Sequence, residues 1–194
     1  MTDTDKNILR FVEAHDLQLQ LIQEMWADSY VQCYEDADLP LERSLRKLGS
    51  IFLFGPTSRN YLLMSNWRCS AVRFLRTAGF KGWIFVPELR GYGNHDDFTD
   101  KDYIHNWESE RGFIAKKKAF WIPRDSNELQ GLNTNLELGV MLGMLIANEL
   151  KPGSVFVGWP DDAQRMGLPN HYATARANLH RFKSLEAMCG AIAA

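Results

Sequence analysis

Residues 119–143 read AFWIPRDSNELQGLNTNLELGVMLG. Four apolar residues, 119–122, are too few for a helix and are closed by Pro123, as expected of a strand buried on both faces. A polar loop follows, and then a helical pattern opens near Thr134 with Glu137 in its first turn. The same unit recurs outward in both directions. Upstream lie a strand at 51–54 ended by Gly55-Pro56, a helix at 67–78 stopped by Gly79, a strand at 83–86 ended by Pro87, and a helix at 102–115. Downstream the first helix runs on to Leu150, followed by a strand at 154–157 and a last helix at 171–182. Strands alternating with helices over this length predict an α/β sandwich around a mainly parallel sheet. Residues 29–34 alternate like an edge strand, and 41–48 hold a helical turn. Ile8, Phe11, Val12, Leu19, Ile22 and Trp26 fall at helical spacing, so residues 1–26 read as an amphipathic helical extension to a domain spanning 27–194.

Composition narrows the function. A formal charge of -2 gives no electrostatic reason to expect nucleic acid as a partner. Cys33, Cys69 and Cys189 are odd in number and widely spaced, which suits reduced thiols in a cytoplasmic protein. The N-terminus lacks the basic and apolar regions of a secretion signal. The longest nearly apolar run, 138–147, is too short for a membrane span. His95, His105, His171 and His180 are scattered, and no HExxH, CxxC or GxSxG occurs, so no metal site or serine triad is expected.

In parallel α/β sheets, ligands sit outside the carboxyl ends of the strands. The loops at 55–66, 87–101, 123–133 and 158–170 meet there. Two readings fit Glu137. Thr134-x-x-Glu137 matches a capping box, in which the carboxylate returns to the N-cap N–H. Alternatively, the positive end of the helix holds Glu137 ionised as a nucleophile, with Gly139 and Gly143 letting the helix approach the sheet. Glu108, in HNWESE, is either a solvated helix-face charge or a second carboxylate at the same edge, and a pair of carboxylates suits glycosidic chemistry. Asp125 ends the third buried strand as a turn former or a ligand contact. Gly55-Pro-Thr57-Ser58-Arg59 offers N–H groups, hydroxyls and a guanidinium to a sugar or phosphate, though it is neither a Walker loop nor GxGxxG.

Together IFLFGPTSR (51–59), NWR (66–68), WIFVPE (83–88), NWE (106–108), FWIPRD (120–125) and LNTNLELG (132–139) resemble, in order and spacing, the nucleoside 2-deoxyribosyltransferase family and its transferase-like branch. The resemblance covers about residues 29–182. It implies a flavodoxin-like three-layer sandwich and cleavage of the N-glycosidic bond of a nucleoside or nucleoside 5′-monophosphate, without a cofactor. Glu137 matches the family's nucleophile, and Glu108 the acid that assists the departing base. Gly55, Thr57, Ser58 and Arg59 match its phosphate loop. Glu88, Asp125, Asn133 and Asn135 lie within the matched motifs and complete the implied substrate-binding set. A homo-oligomer is also implied. Gly131 departs from the pattern, since many members carry an aspartate six residues before the nucleophile. The alternative is a nucleotide-binding or sensing module on the same scaffold, without turnover.

Overall fold

The computed structural model describes residues 16–40, 42–57, 66–90, 100–125 and 129–194. Its centre is β2 (Ser50–Phe54), whose five residues are all buried. Successive side chains of a strand point to opposite faces, so Ile51 and Leu53 enter one core while Phe52 and Phe54 enter the other. β3 (Trp83–Phe85) and β4 (Lys117–Trp121) flank β2, with Ile51 opposite Ile84 and Leu53 opposite Ala119. β1 (Val31–Gln32) forms the edge beyond β3, as its alternation predicts; β5 (Val155–Gly158) and β6 (Arg181–Phe182) extend the other side. The order is β1-β3-β2-β4-β5-β6, and every neighbouring pair is parallel. Apart from the added edge strand β1, this is the flavodoxin-like order, with its switch point between β2 and β4.

Helices cover both faces. Residues 16–27 (α1), α3 (Trp67–Thr77) and α7 (Leu185–Ala193) pack over Ile51, Leu53, Ile84 and Ala119. Leu21 and Met25 of α1 lie within that core, so this part of the N-terminal extension is built into the sandwich. The opposite face takes α4 (Lys101–Ile114), α5 (Leu132–Ile146), and α6 (Gly167–Asn170) with the π-helical turn His171–Arg176 that continues it. The short helix α2 (Glu42–Leu48) leans Leu45 on the same core. Among the described residues, no helix is long and apolar enough to cross a membrane.

Three expectations are corrected. Residues 171–182 are not one helix: the helical segment stops at Arg176, and Arg181–Phe182 are β6, paired with Val157 and Gly158. The last helix is α7, where Ser184 caps the apolar run 185–193 by accepting from the Ala187 N–H. α5 starts at Leu132 rather than Thr134, and ends at Ile146 rather than Leu150. Gly131 takes the left-handed conformation at φ +60° and turns the chain into the helix early. Finally, Gly139 and Gly143 do not serve close approach to the sheet. Both are exposed, and an added Cβ would meet nothing within 4 Å.

Candidate functional site

The ends of β2 and β4 are pinched together at the switch point. A Cβ on Gly55 would stand 2.2 Å from the Trp121 carbonyl oxygen and 2.6 Å from Cζ2 of Trp67, so only glycine fits. Trp67 donates its indole N–H to the Pro56 carbonyl at 3.0 Å, which fixes the first turn of the loop leaving β2. α3 begins there because the Asn66 side chain accepts from the Arg68 N–H.

Arg68 is a buried anchor. Its guanidinium donates to the carbonyls of Leu53 (3.2 Å) and Gly55 (2.6 Å), to Thr57 Oγ1 (3.0 Å) and to Glu88 Oε1 (2.7 Å). The other oxygen of Glu88 accepts from Asn66 Nδ2 at 2.5 Å. Both members of the ion pair are almost fully buried. A buried pair is held by its additional hydrogen bonds rather than by charge alone. Here those bonds tie the carboxyl ends of β2 and β3 to the start of α3. Glu88 is thus part of the floor, with both oxygens already engaged, while Gly55 and Thr57 form the rim.

Two carboxylates converge from the other face. Glu108 on α4 accepts from the Tyr34 hydroxyl at 2.5 Å. Tyr34 is itself buried, lying edge-on to Trp107 at 5.2 Å between ring centres, with its carbonyl accepting from Tyr103 Oη at 2.8 Å. Arg111 donates to the carbonyls of Asp36 and Ala37 and so braces the chain just after Tyr34. Glu137 is partly buried, and among the described residues no hydrogen bond reaches its carboxyl group. Its pKa is pushed up to about 8, first by burial and then by the negative charge of Glu108, with the Arg68 charge acting the other way.

The early start of α5 decides between the two readings of Glu137. With Gly131 as N-cap, Thr134 is the third helical residue and Glu137 the sixth, a turn too far to reach back to the cap. The dipole's help also fades beyond the first turn. The carboxyl group is therefore not a cap, and in the free protein it holds a proton at neutral pH rather than standing ionised.

The remaining sequence candidates divide. Asn135 accepts through Oδ1 from Nη2 of the buried Arg124, which also donates to the Arg165 carbonyl at 3.3 Å. Asp125 bridges to Leu129 and accepts from Gln164 Nε2 at 3.5 Å, the position of a turn former. Asn133 is exposed at the start of α5. Ser58 and Arg59 lie outside the described residues, as does most of the 87–101 loop. At Gly131, where the family pattern has aspartate, a Cβ would lie 3.3 Å from Cβ of Pro56, directly at the rim. Sequence reasoning missed Tyr34, Asn66, Arg68 and Arg124. Arg68 carried two signals, its place in the NWR motif at 66–68 and a charge on the apolar side of an amphipathic helix; Tyr34 had none beyond its strand alternation. Among the described residues, no group of three or more His, Cys, Asp and Glu side chains converges to hold a metal ion.

No family model matches the chain, and no curated protein is similar to it.

Proposed function

We propose that this site cleaves the N-glycosidic bond of a nucleoside or nucleoside 5′-monophosphate, with Glu137 as nucleophile and Glu108 as acid and base. The observation that carries the proposal is the coupled carboxyl pair at the switch point. Glu137 has no hydrogen-bond partner among the described residues, is raised to about 8, and feels the charge of a Glu108 held in place by Tyr34. Perturbation by burial together with a specific charge partner, at the ligand edge of a sheet, marks a reactive site better than a structural one. The resemblance of the six motifs supports the same assignment.

In the free site Glu137 holds a proton; substrate binding must move it to Glu108 before reaction. Glu137 Oε then attacks C1′ while the C1′–N bond breaks, and the Glu108 proton passes to the departing base nitrogen. A positive charge develops on the sugar, and the Glu137 carboxylate beside it stabilises that charge. In the second half, water or another base attacks C1′, gives its proton to Glu108, and releases Glu137. Two inversions leave the configuration retained. Thr57 and the N–H groups of its loop would receive the 5′ end of the sugar. The proposal includes a cytoplasmic location and a homo-oligomer, both expected from the sequence.

The test is incubation with ribo- and deoxyribonucleosides and their monophosphates, following free base by chromatography, with and without an acceptor base. Base release that is lost in both Glu137→Gln and Glu137→Ala supports the proposal; full activity in either variant refutes it. One observation favours a second reading. A carboxyl group neutral at pH 7 can donate a hydrogen bond to a bound base, as a sensing module without turnover would need. Nucleotide binding without base release, unchanged in affinity in Glu137→Gln, would select that reading.

A further inference from the structure

Charge is unevenly placed on this fold. The strands are all parallel, so their amino ends lie along one edge of the sheet, opposite the candidate site. The segments entering them carry Arg43, Arg46 and Lys47 on α2, Lys81 before β3, Lys116 before β4 and Lys151 before β5, all exposed. The exposed acids there are Glu42, paired with Arg46, and Glu149; Asp28 is half-buried and paired with Arg76. Six positive against two negative charges leave +4 at this edge and −6 on the rest of a chain whose total is −2. The patch is continuous. Lys116 Nζ donates to the Arg46 carbonyl at 2.8 Å, and Ser44 of α2 accepts from the Trp83 indole N–H at 2.9 Å. Gly82 packs so closely on Gly49 that a Cβ would stand 2.6 Å from its carbonyl oxygen, which sets Lys81 beside α2. Apolar side chains stand among these charges: Phe113, Ile114 and Tyr30 are 53%, 40% and 41% exposed. Phe113 and Ile114 end α4, where Lys118 secures the turn by donating to the Phe113 and Ala115 carbonyls. Tyr30 lies edge-on to Trp83, 5.1 Å between ring centres.

We propose that this edge docks on the surface of a bilayer containing anionic lipids, with Tyr30, Phe113 and Ile114 entering the headgroup region. Basic side chains close to such a surface are drawn by its negative potential. Among the described residues only Arg46 of the six forms an ion pair, so five cations remain to meet lipid phosphate and carboxylate groups. Long basic side chains also suit the boundary, since their stems lie against apolar surface while their charged ends stay in water. Aromatic rings settle at the same depth. Binding of this kind needs apolar area and charge together, and no membrane-spanning helix. A nucleic acid strand, by contrast, takes a groove that tracks its backbone and rings on which its bases stack. Here the charges are spread over four segments, and Ile114 has no face for a base, which suits a broad surface. The docked chain turns its amino edge to the lipid and its candidate site to the solvent, so substrate reaches the site freely. The proposal rests on the placement of charge and not on the proposed chemistry, so either can fail without the other.

The test is co-sedimentation of the full chain with vesicles of phosphatidylcholine alone, or of equal parts phosphatidylcholine and phosphatidylserine, at rising salt. The chain is expected to pellet with the mixed vesicles at low salt, to be released as salt rises, and to stay in solution with phosphatidylcholine alone. Each basic residue near an anionic surface raises affinity about 5-fold, so Arg43→Glu/Lys47→Glu and Lys81→Glu/Lys151→Glu are each expected to weaken binding about 25-fold or more. Phe113→Ser/Ile114→Ser is expected to weaken it roughly 10-fold. All these positions are exposed, so circular dichroism is expected to stay unchanged. Lys101→Glu, an exposed charge reversal at the opposite edge, is expected to bind as the wild type does. A chain that ignores the mixed vesicles at low salt, that binds phosphatidylcholine equally, or whose Arg43→Glu/Lys47→Glu variant binds no worse than Lys101→Glu overturns the proposal. Binding of a labelled RNA oligonucleotide with no binding to vesicles assigns the edge to nucleic acid and overturns it as well.

Discussion

Glu137→Gln is expected to make the protein more stable as the pH rises. Wild-type Glu137 holds its proton in the folded chain up to about pH 8, against an ordinary carboxyl value of 4.5. Between those two values the folded state binds more protons than the unfolded state, so wild-type stability falls as pH rises and levels off above about 8. Glutamine keeps the shape of the neutral acid and carries no such cost. The full difference between 4.5 and about 8 corresponds to roughly 5 kcal/mol, at about 1.4 kcal/mol for each pH unit. Because Glu137 is only partly buried and water can reach it, about half of that, roughly 2–3 kcal/mol, is the expected plateau. Urea unfolding of both proteins at about pH 5, 7 and 9 measures it, and groups common to the two cancel in the difference. The variant's advantage is expected to be small at the lowest pH and largest at the highest. A difference that does not change with pH, or that favours wild type as pH rises, refutes the electrostatic account of the site.

Other outcomes follow from the same contacts. Glu108→Gln removes a negative charge that raises Glu137, so the Glu137 titration midpoint, read by carboxyl-carbon NMR, is expected to move down from about 8. Tyr34→Phe keeps the ring packed on Trp107 but removes the donor to Glu108, a bond to a carboxylate worth about 1.5–3 kcal/mol. Base release is expected to fall roughly 10-fold or more, and Tm by roughly 3–10 °C. Glu88→Ala leaves the Arg68 charge buried without its partner and is expected to cost roughly 3–5 kcal/mol in denaturant unfolding, most of it recovered in the double variant Arg68→Met/Glu88→Leu. Gly55→Ala drives a Cβ into the Trp121 carbonyl and is expected to cost about 3 kcal/mol by the same measurement.

The periodic parts of the sequence carried most of the fold. Continuous apolar runs at 51–54 and 119–122 correspond to β2 and β4, and the helix signals near 67, 102 and 134 fall on α3, α4 and α5. Misreadings arose where a local pattern had two outcomes. Arg181–Phe182 continued a helical pattern but completes a sheet edge, because β5 leaves one side open to pairing. Gly139 and Gly143 read as contacts with the sheet, yet they fall on the opposite side of the helix, beside the exposed Leu136 and Val140.

Spacing alone determined that this chain alternates strands and helices, and offered two glutamates as candidates near the carboxyl ends of its strands. Those properties follow from periods of two and 3.6 residues, which any short window contains. Tertiary structure decided the state of those glutamates. A left-handed glycine begins α5 early and moves Glu137 out of the cap. Burial and the charge of Glu108 then keep it protonated, and a tyrosine 74 residues away holds Glu108. Solvent exclusion and the field of distant charges depend on which segments pack together, so no local pattern encodes them.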